Sequence, residues 1–195
     1  MEASRRPGQR AGITRELVIA AGRELLIEHG AAGLTMRAVA RHLAVAPGAL
    51  YSHVRTKAEL IDEVLDDLLS QVDAPDPLGT DWRGGLYGLM TSTHEVLLEH
   101  PGLVPLYVAR RGARGPNAQR LGEIMLALLA TQGITGTPAR EALRALLVYT
   151  IGSAAFTAQT PIDPELDDAQ LPSPAELETN FENGLRWLLA GIASA

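Results

Sequence analysis

The sequence predicts an all-α protein on three observations. Apolar residues recur at spacings of three and four in one segment after another, which is the signature of helices with a single buried face. No stretch alternates apolar and polar residues with period two, so no strand is expected. The interruptions fall at runs of Gly, Pro and acids, where helices end. The chain has 195 residues, 46% of them hydrophobic, which suffices for a sizeable core, and it has no cysteine for disulfides or thiolate metal sites. A reducing cytoplasm is the expected setting. The longest apolar stretches, such as ALLVYTIGSAAF (145–156), stop short of the roughly 18–20 residues of a membrane span, so they read as buried helix and no membrane partner is expected.

In chain order, residues 1–12 (MEASRRPGQRAG) lack apolar periodicity and carry Arg5, Arg6 and Arg10, so they read as a disordered basic arm. Thr14 is placed to cap a first helix with Leu17, Val18, Ala21, Leu25 and Leu26 on its apolar face, ended by Gly30. Thr35 caps a second, shorter helix whose inward positions are Val39, Ala40 and Leu43. A turn at Ala44-Val45-Ala46 follows, Pro47 suits the first turn of a third helix, and Leu50 points back to the core. Thr56 and Glu59 make a T-x-x-E capping box that opens a fourth helix running to about Val72. Beyond the breaker-rich DAPDPLGTD (73–81), helices are expected over 82–100, 103–111, 118–132 and 139–158, with RGARGPN (111–117) as a loop. TPIDPELDDAQLPSP (160–174), with four prolines and four acids, is an acidic connection. Leu177, Phe181, Leu185, Leu188 and Ile192 then form the stripe of a last helix.

Charge divides along the chain. The net −6 conceals nine Arg and Lys against four Glu in residues 1–57, a net +5, and eight Arg against nineteen acids in residues 58–195, a net −11. Only the first quarter suits a polyanion; the remainder would repel one. Two short helices joined by a three-residue turn, with small Ala40 at their closest approach, are what a helix-turn-helix requires, and the second helix is then free to lie in a major groove.

The run LTMRAVARHLAVAPGALYSHVRTKAELIDEVLD resembles the DNA-binding segment of the tetracycline-repressor (TetR) family of bacterial regulators. Its L-T-x-R-x-[VIL]-A opening, L-Y-x-H-V centre and K-x-E-L exit fall at that family's spacing, and the likeness covers residues 13–66. It implies a three-helix helix-turn-helix head over 13–57, and a larger helical effector-binding and dimerisation domain over 58–195. Thr35 and Arg37 would open the second helix against phosphate, and Tyr51, His53 and Lys57 match the family's phosphate-contacting positions. The base-reading positions are Pro47, Gly48, Ala49 and Ser52, with no Arg, Gln or Asn for a bidentate base contact. Specificity is therefore expected from Ala49 or Pro47 against a thymine methyl, from Ser52 as a flexible hydrogen-bonder, from Arg37 reaching a guanine, and from Arg5, Arg6 and Arg10 in a minor groove. Ala44 stands where the family usually has Gly, which would cost on the order of 1 kcal/mol in a left-handed conformation.

A lone helix-turn-helix offers little contact area, so a homodimer is expected, formed in that family by the last two long helices, here near 139–158 and 175–193. The Gly152, Ser153, Ala154, Ala155 run and the last stripe suit that role. Between them, His94, Tyr107, Tyr149, Thr157 and Gln159 lie among Met90, Leu97, Leu103, Met125 and Phe156, and apolar walls with a few polar groups are the make-up of a small-molecule pocket. The resemblance implies a small organic effector there that moves the fourth helix and releases operator DNA; His94 and Tyr107 stand out as its polar contacts.

The C-terminal region most resembles the tetracycline repressor subgroup, in which a histidine holds the magnesium carried by the drug. Alignment puts Tyr107 at the ligand's place and Asp73 at the second histidine's, and His94 and His100 share no helix face, so neither a metal nor magnesium-tetracycline is expected. No G-x-S-x-G occurs and RGGLYG (83–88) follows no strand, so neither an enzyme nor a cofactor is expected. The other reading the sequence allows is a helical small-molecule sensor or carrier whose head, with its apolar Pro47-Gly48-Ala49, has lost specific DNA recognition.

Overall fold

The computed structural model describes residues 12–158 and 172–193. Arg5, Arg6 and Arg10 of the basic arm, Gln159, and most of the acidic connection lie outside the described residues. Every regular element among those described is helical.

Helix α1 spans Arg15–Gly33, and the Thr14 hydroxyl accepts from the Leu17 amide as the sequence predicts. Gly30, at φ +64°, kinks the helix instead of ending it, and one more turn follows before Leu34. Leu17, expected on the buried face, is 49% exposed, while Val18, Ile19, Ala21, Leu25 and Leu26 are buried. A spacing of four advances about 40° past a full turn at each step, so the 17-21-25 row drifts off the core at its first member. Helix α2, Met36–His42, is capped by the Thr35 hydroxyl, which accepts from the Ala38 amide at 3.0 Å.

The turn after α2 is closed by Ala44 in the left-handed region (φ +53°), with the Val45 amide returning to the Ala40 carbonyl at 2.9 Å. The next helix, Pro47–Ser52, is 3-10 rather than α, and holds only Leu50 fully in the core. Helix α3, Lys57–Leu68, begins with Thr56 accepting from the Glu59 amide. The return arm of the expected capping box is displaced by one residue, since Glu59 accepts from the Arg55 amide at 2.9 Å. A 3-10 turn at Leu69–Gln71 completes the segment predicted to reach Val72.

The body follows as α4 (Trp82–Glu99), a 3-10 turn at Pro101–Leu103, α5 (Val104–Arg110), α6 (Pro116–Ala130), α7 (Gly136–Ala158) and α8 (Pro174–Ile192). Asp81 caps α4, and Ser173 with Glu176 forms a complete capping box on α8. Helices α4 and α7 pack along each other at the centre, with α5, α6 and α8 around α7, while α1 lies on α3 and α2 on the 3-10 helix. One apolar cluster runs through all of them, from Val18 to Leu189.

The α8 stripe points inward. Phe181 and Leu185 are buried and Leu189 takes the next core position, whereas Leu188 and Ile192 are half-buried. The stripe expected to serve a partner therefore belongs mainly to the chain's own core. The apolar surface left outside is a different set, with Val148 66%, Phe156 62% and Trp187 74% exposed.

Candidate functional site

The first site is the surface built by α2 and the 3-10 helix. Each of its elements is held by bonds that leave the outer side chains free. The Leu43 and Val45 amides return to α2 carbonyls, and His53 and Val54 both donate to the Leu50 carbonyl. Around that frame Thr35, Arg37, Pro47, Gly48, Tyr51 and Ser52 are exposed, and Ala49, His53 and Lys57 are half-buried. The spacing therefore brings all nine predicted DNA-facing residues onto one end of the chain. Besides the Thr35 cap, two of them have local bonds. The Ser52 hydroxyl donates to the Ala49 carbonyl at 2.9 Å, which leaves its oxygen as an acceptor. The Lys57 ammonium donates to the Ala31 carbonyl just past the α1 kink, so two of its three protons remain for another partner. Arg41 and Arg55, exposed on the same segment, are cations the family pattern did not single out.

Helix α3 joins this surface to the body and is fastened on both sides. Toward α1, Arg15 pairs with Glu63 and Arg23 with Asp67 at 3.1 Å. Toward the body, Arg110 of α5 reaches Asp62 at 3.0 Å and donates to the Ala58 carbonyl. Asp66, only 4% exposed, accepts from the Asn117 and Ala118 amides at 3.0 and 2.9 Å and from the Asn117 side-chain amide. It thus caps α6 from another helix, where a carboxylate meets free N–H groups and the positive end of the dipole. Gly115 permits this approach, since a Cβ there would lie 2.4 Å from the Asp66 carboxyl.

Tyr107, singled out in the sequence as an effector contact, belongs to the same joint. Its buried hydroxyl donates to the Leu65 carbonyl of α3. Burial first, and then the Asp66 and Asp67 carboxylates, hold its phenol far above the ordinary tyrosine value, so it stays a donor.

The second site lies between the C-terminal half of α4, the end of α7 and the start of α8. It is a cavity of about 350 Å³ bordered by Thr91, His94, Glu95, Glu178, Phe181 and Glu182 among others, with Thr157 at its edge. His94 is 4% exposed and stacks on Phe181, ring centroids 3.8 Å apart and planes within 9°. Its Nε2 and the Thr91 hydroxyl are buried without a hydrogen-bond partner among the described residues. Burial pushes the His94 pKa down to about 4, so the ring is a neutral imidazole near neutral pH.

The remaining predicted effector residues are placed elsewhere. Met90, Leu97, Leu103 and Met125 are core residues, and Thr150 donates to the Met90 sulfur at 3.4 Å. The Tyr149 hydroxyl is committed to the Asn180 and Phe181 carbonyls of α8, and Phe156 is on the outer surface. Sequence reasoning missed Thr91, Glu95, Glu178 and the ring of Phe181. Periodicity marked Phe181 as stripe and had no means of showing which side chain it would stack on.

Comparison with known proteins agrees with both parts. Residues 18–64 match the family model for bacterial regulatory proteins of the tetR family, and residues 74–170 match the tetracyclin repressor-like C-terminal domain. The chain is 31% identical over 196 residues to the class G tetracycline repressor protein of Vibrio anguillarum, covering 90% of this chain and 91% of that protein. Among solved structures, a TetR variant of Acinetobacter baumannii AYE in complex with minocycline shares 29% identity at a TM-score of 0.75, covering 92% of this chain and 96% of its own. The structure of BioQ with its double-stranded DNA operator shares 25% identity at a TM-score of 0.71, covering 94% and 99%. With the helix-turn-helix, the helical body and two family models in register with them, the chain belongs to the TetR family of bacterial transcriptional regulators.

Proposed function

We propose that this chain represses transcription as a homodimer that holds operator DNA through residues 13–57 and is released when a small organic molecule enters the body, residues 58–195. The joint at α3 carries this reading. A single short helix is tied to the head by Arg15–Glu63 and Arg23–Asp67, and to the body by Tyr107, Arg110 and Asp66. Anything that shifts α4–α6 must strain those bonds or carry α3 along, and with it the DNA-facing surface. A ligand achieves release only by binding the two arrangements with different affinity.

The dimer reading is supported by the apolar outer face of α7 and α8. Val148, Phe156 and Trp187 stand in water in the single chain, and the groove between Tyr149, Gly184, Trp187 and Ile192 is almost wholly apolar. Two heads would then sit on half-sites about 34–36 Å apart. Within each head, Tyr51, His53 and Lys57 supply donors to phosphate, Thr35 opens α2 toward the backbone, and Arg37, Pro47, Gly48, Ala49 and Ser52 face the groove. That relatives were solved with an operator and with minocycline supports both halves of the reading. No helix among the described residues is long and apolar enough to cross a membrane, which suits action on DNA in the cytoplasm.

Fluorescence anisotropy on DNA selected from a random pool tests the proposal. Saturable binding to one palindromic sequence, far tighter than to scrambled DNA at the same salt, is expected. Weak binding of every sequence, abolished by modest salt, would instead mark a sensor or carrier with a degenerate head.

A further inference from the structure

We propose that the cavity beside His94 takes an organic cation, an ammonium group on a compact apolar body. This rests on the reading of the body as effector-binding and names the chemical class of the effector.

Charge selects the class. The cavity is bordered by Glu95, Glu178 and Glu182, and no Lys or Arg borders it among the described residues. Glu182 is neutralised by Arg186 at 2.9 Å, which also donates to the Tyr87 hydroxyl; Glu95 and Glu178 show no such pairing in the geometry. An anionic ligand would meet uncompensated like charge, whereas a cation gains two carboxylates.

The acidic rim alone would be an ordinary solvated surface. The buried floor makes it a site. His94 is held by its stack on Phe181, and Phe181 is itself stacked on Tyr149, centroids 5.7 Å apart, so the plane of the imidazole is fixed. Its Nε2 and the Thr91 oxygen have no hydrogen-bond partner among the described residues. A buried polar atom without a partner is costly, and both of these belong to side chains that border the one cavity. The neutral ring accepts at Nε2 when its proton sits on Nδ1, and the Thr91 oxygen accepts as well. An ammonium group carries two or three donors and no acceptor, which matches two inner acceptors and a negative rim. Leu98 and the Phe181 edge supply the apolar wall for its carbon body.

The test uses three probes of one shape in calorimetric titrations of the full chain at pH 7.5: 2-phenylethylammonium, neutral 2-phenylethanol and anionic 3-phenylpropanoate. The ammonium is expected to bind, the alcohol at least about tenfold more weakly, and the carboxylate not at all. The double variant E95Q/E178Q, altered at exposed positions, should weaken the ammonium about tenfold, about threefold for each partly screened carboxylate, and leave the alcohol unchanged. H94F should remove ammonium binding, with thermal unfolding recorded to show that the fold persists. No ammonium binding at millimolar concentration, equal binding of alcohol or carboxylate, or indifference to E95Q/E178Q would each overturn the assignment. Anisotropy on the operator complex separates this from the repressor reading. A neutral or anionic compound that releases DNA while the ammonium does not bind sinks the ligand class and spares the repressor. Ammonium binding that obeys the charge variants yet leaves the DNA complex intact upholds the site and sinks its role in release.

Discussion

The two ends of the molecule each hold a threonine and a histidine, and treat them oppositely. At the DNA-facing end Thr35 caps α2 through the Ala38 amide while its side chain stays exposed, and His53 lies half-buried at the rim. In the body the Thr91 hydroxyl and His94 Nε2 are buried with no partner among the described residues. Thr35 makes its cap and keeps its hydroxyl hydrogen, and His53 is tied through its backbone amide, so both side chains can donate to a surface that arrives from outside. The second pair has no such bonds among the described residues, and the proposed ligand would complete it. Recognition of a regular polyanion thus rests on local geometry, and recognition of a small molecule on tertiary geometry, with α3 as the element they share.

Cutting that shared element should have the largest effect. Asp66→Ala removes the cap of α6 and leaves the Asn117 and Ala118 amides without an acceptor in a buried place. The expected loss is about 3 kcal/mol in urea denaturation at fixed protein concentration, with D66N losing about half as much. If D66A unfolds at the wild-type midpoint, α3 is not fastened to the body as described.

The unfinished pair has its own signature in pH. The His94 pKa falls from an ordinary 6.5 to about 4 in the fold because burial opposes its charge, although Glu95, Glu178 and Glu182 border the same cavity. Between those values the unfolded chain binds a proton that the folded chain refuses. This contribution is therefore fully present above about pH 6.5 and declines as the pH drops toward 4, by on the order of 2 kcal/mol. The wild type minus H94F difference in unfolding free energy should trace that curve, and a flat difference would mean that the ring is not buried uncharged.

How much of this was legible in the sequence follows the same division. The caps at Thr14, Thr35 and Thr56 could be read because a hydroxyl three residues before a free amide is a local relation. The nine positions proposed to face DNA came from fixed spacings along residues 35–57, and all of them are exposed or half-buried in the structure. The body was legible as helices but not as a site. Tyr107 looked like a ligand contact and is a tether, Phe156 looked like a cavity wall and is surface, and Phe181 looked like stripe and is the stacking partner that fixes His94. Those roles depend on contacts across tens of residues, which helical periodicity does not encode. Its error at Leu17 has the same root, since a row of four-residue spacings drifts around the helix until a neighbour decides where it is buried.

A smaller effect sharpens the DNA side. Arg37 is exposed in the first turn of α2, and the proposed function turns it toward the groove. Arg37→Ala should weaken the selected operator about tenfold and scrambled DNA far less, because a base contact is lost only where the base is present. Equal weakening of both, with a salt slope shallower by about one, would reassign Arg37 to phosphate and leave specificity to Ala49, Pro47 and Ser52.

The smallest effect tests the turn that sets the angle between α2 and the 3-10 helix. Ala44 is held at φ +53° although its Cβ disfavours that region, and the bonds from Ala44 to the Arg41 carbonyl and from Val45 to the Ala40 carbonyl keep it there. Glycine at this position relieves the steric cost of about 1–2 kcal/mol but gives back several tenths through the greater freedom of the unfolded chain. Ala44→Gly should therefore stabilise the protein by about 0.5–1 kcal/mol in thermal unfolding and leave operator affinity unchanged, since the turn angle is kept. A gain in stability accompanied by weaker operator binding would show instead that the strain at Ala44 holds the DNA-facing helix at its working angle, a role no local rule of turn chemistry assigns to it.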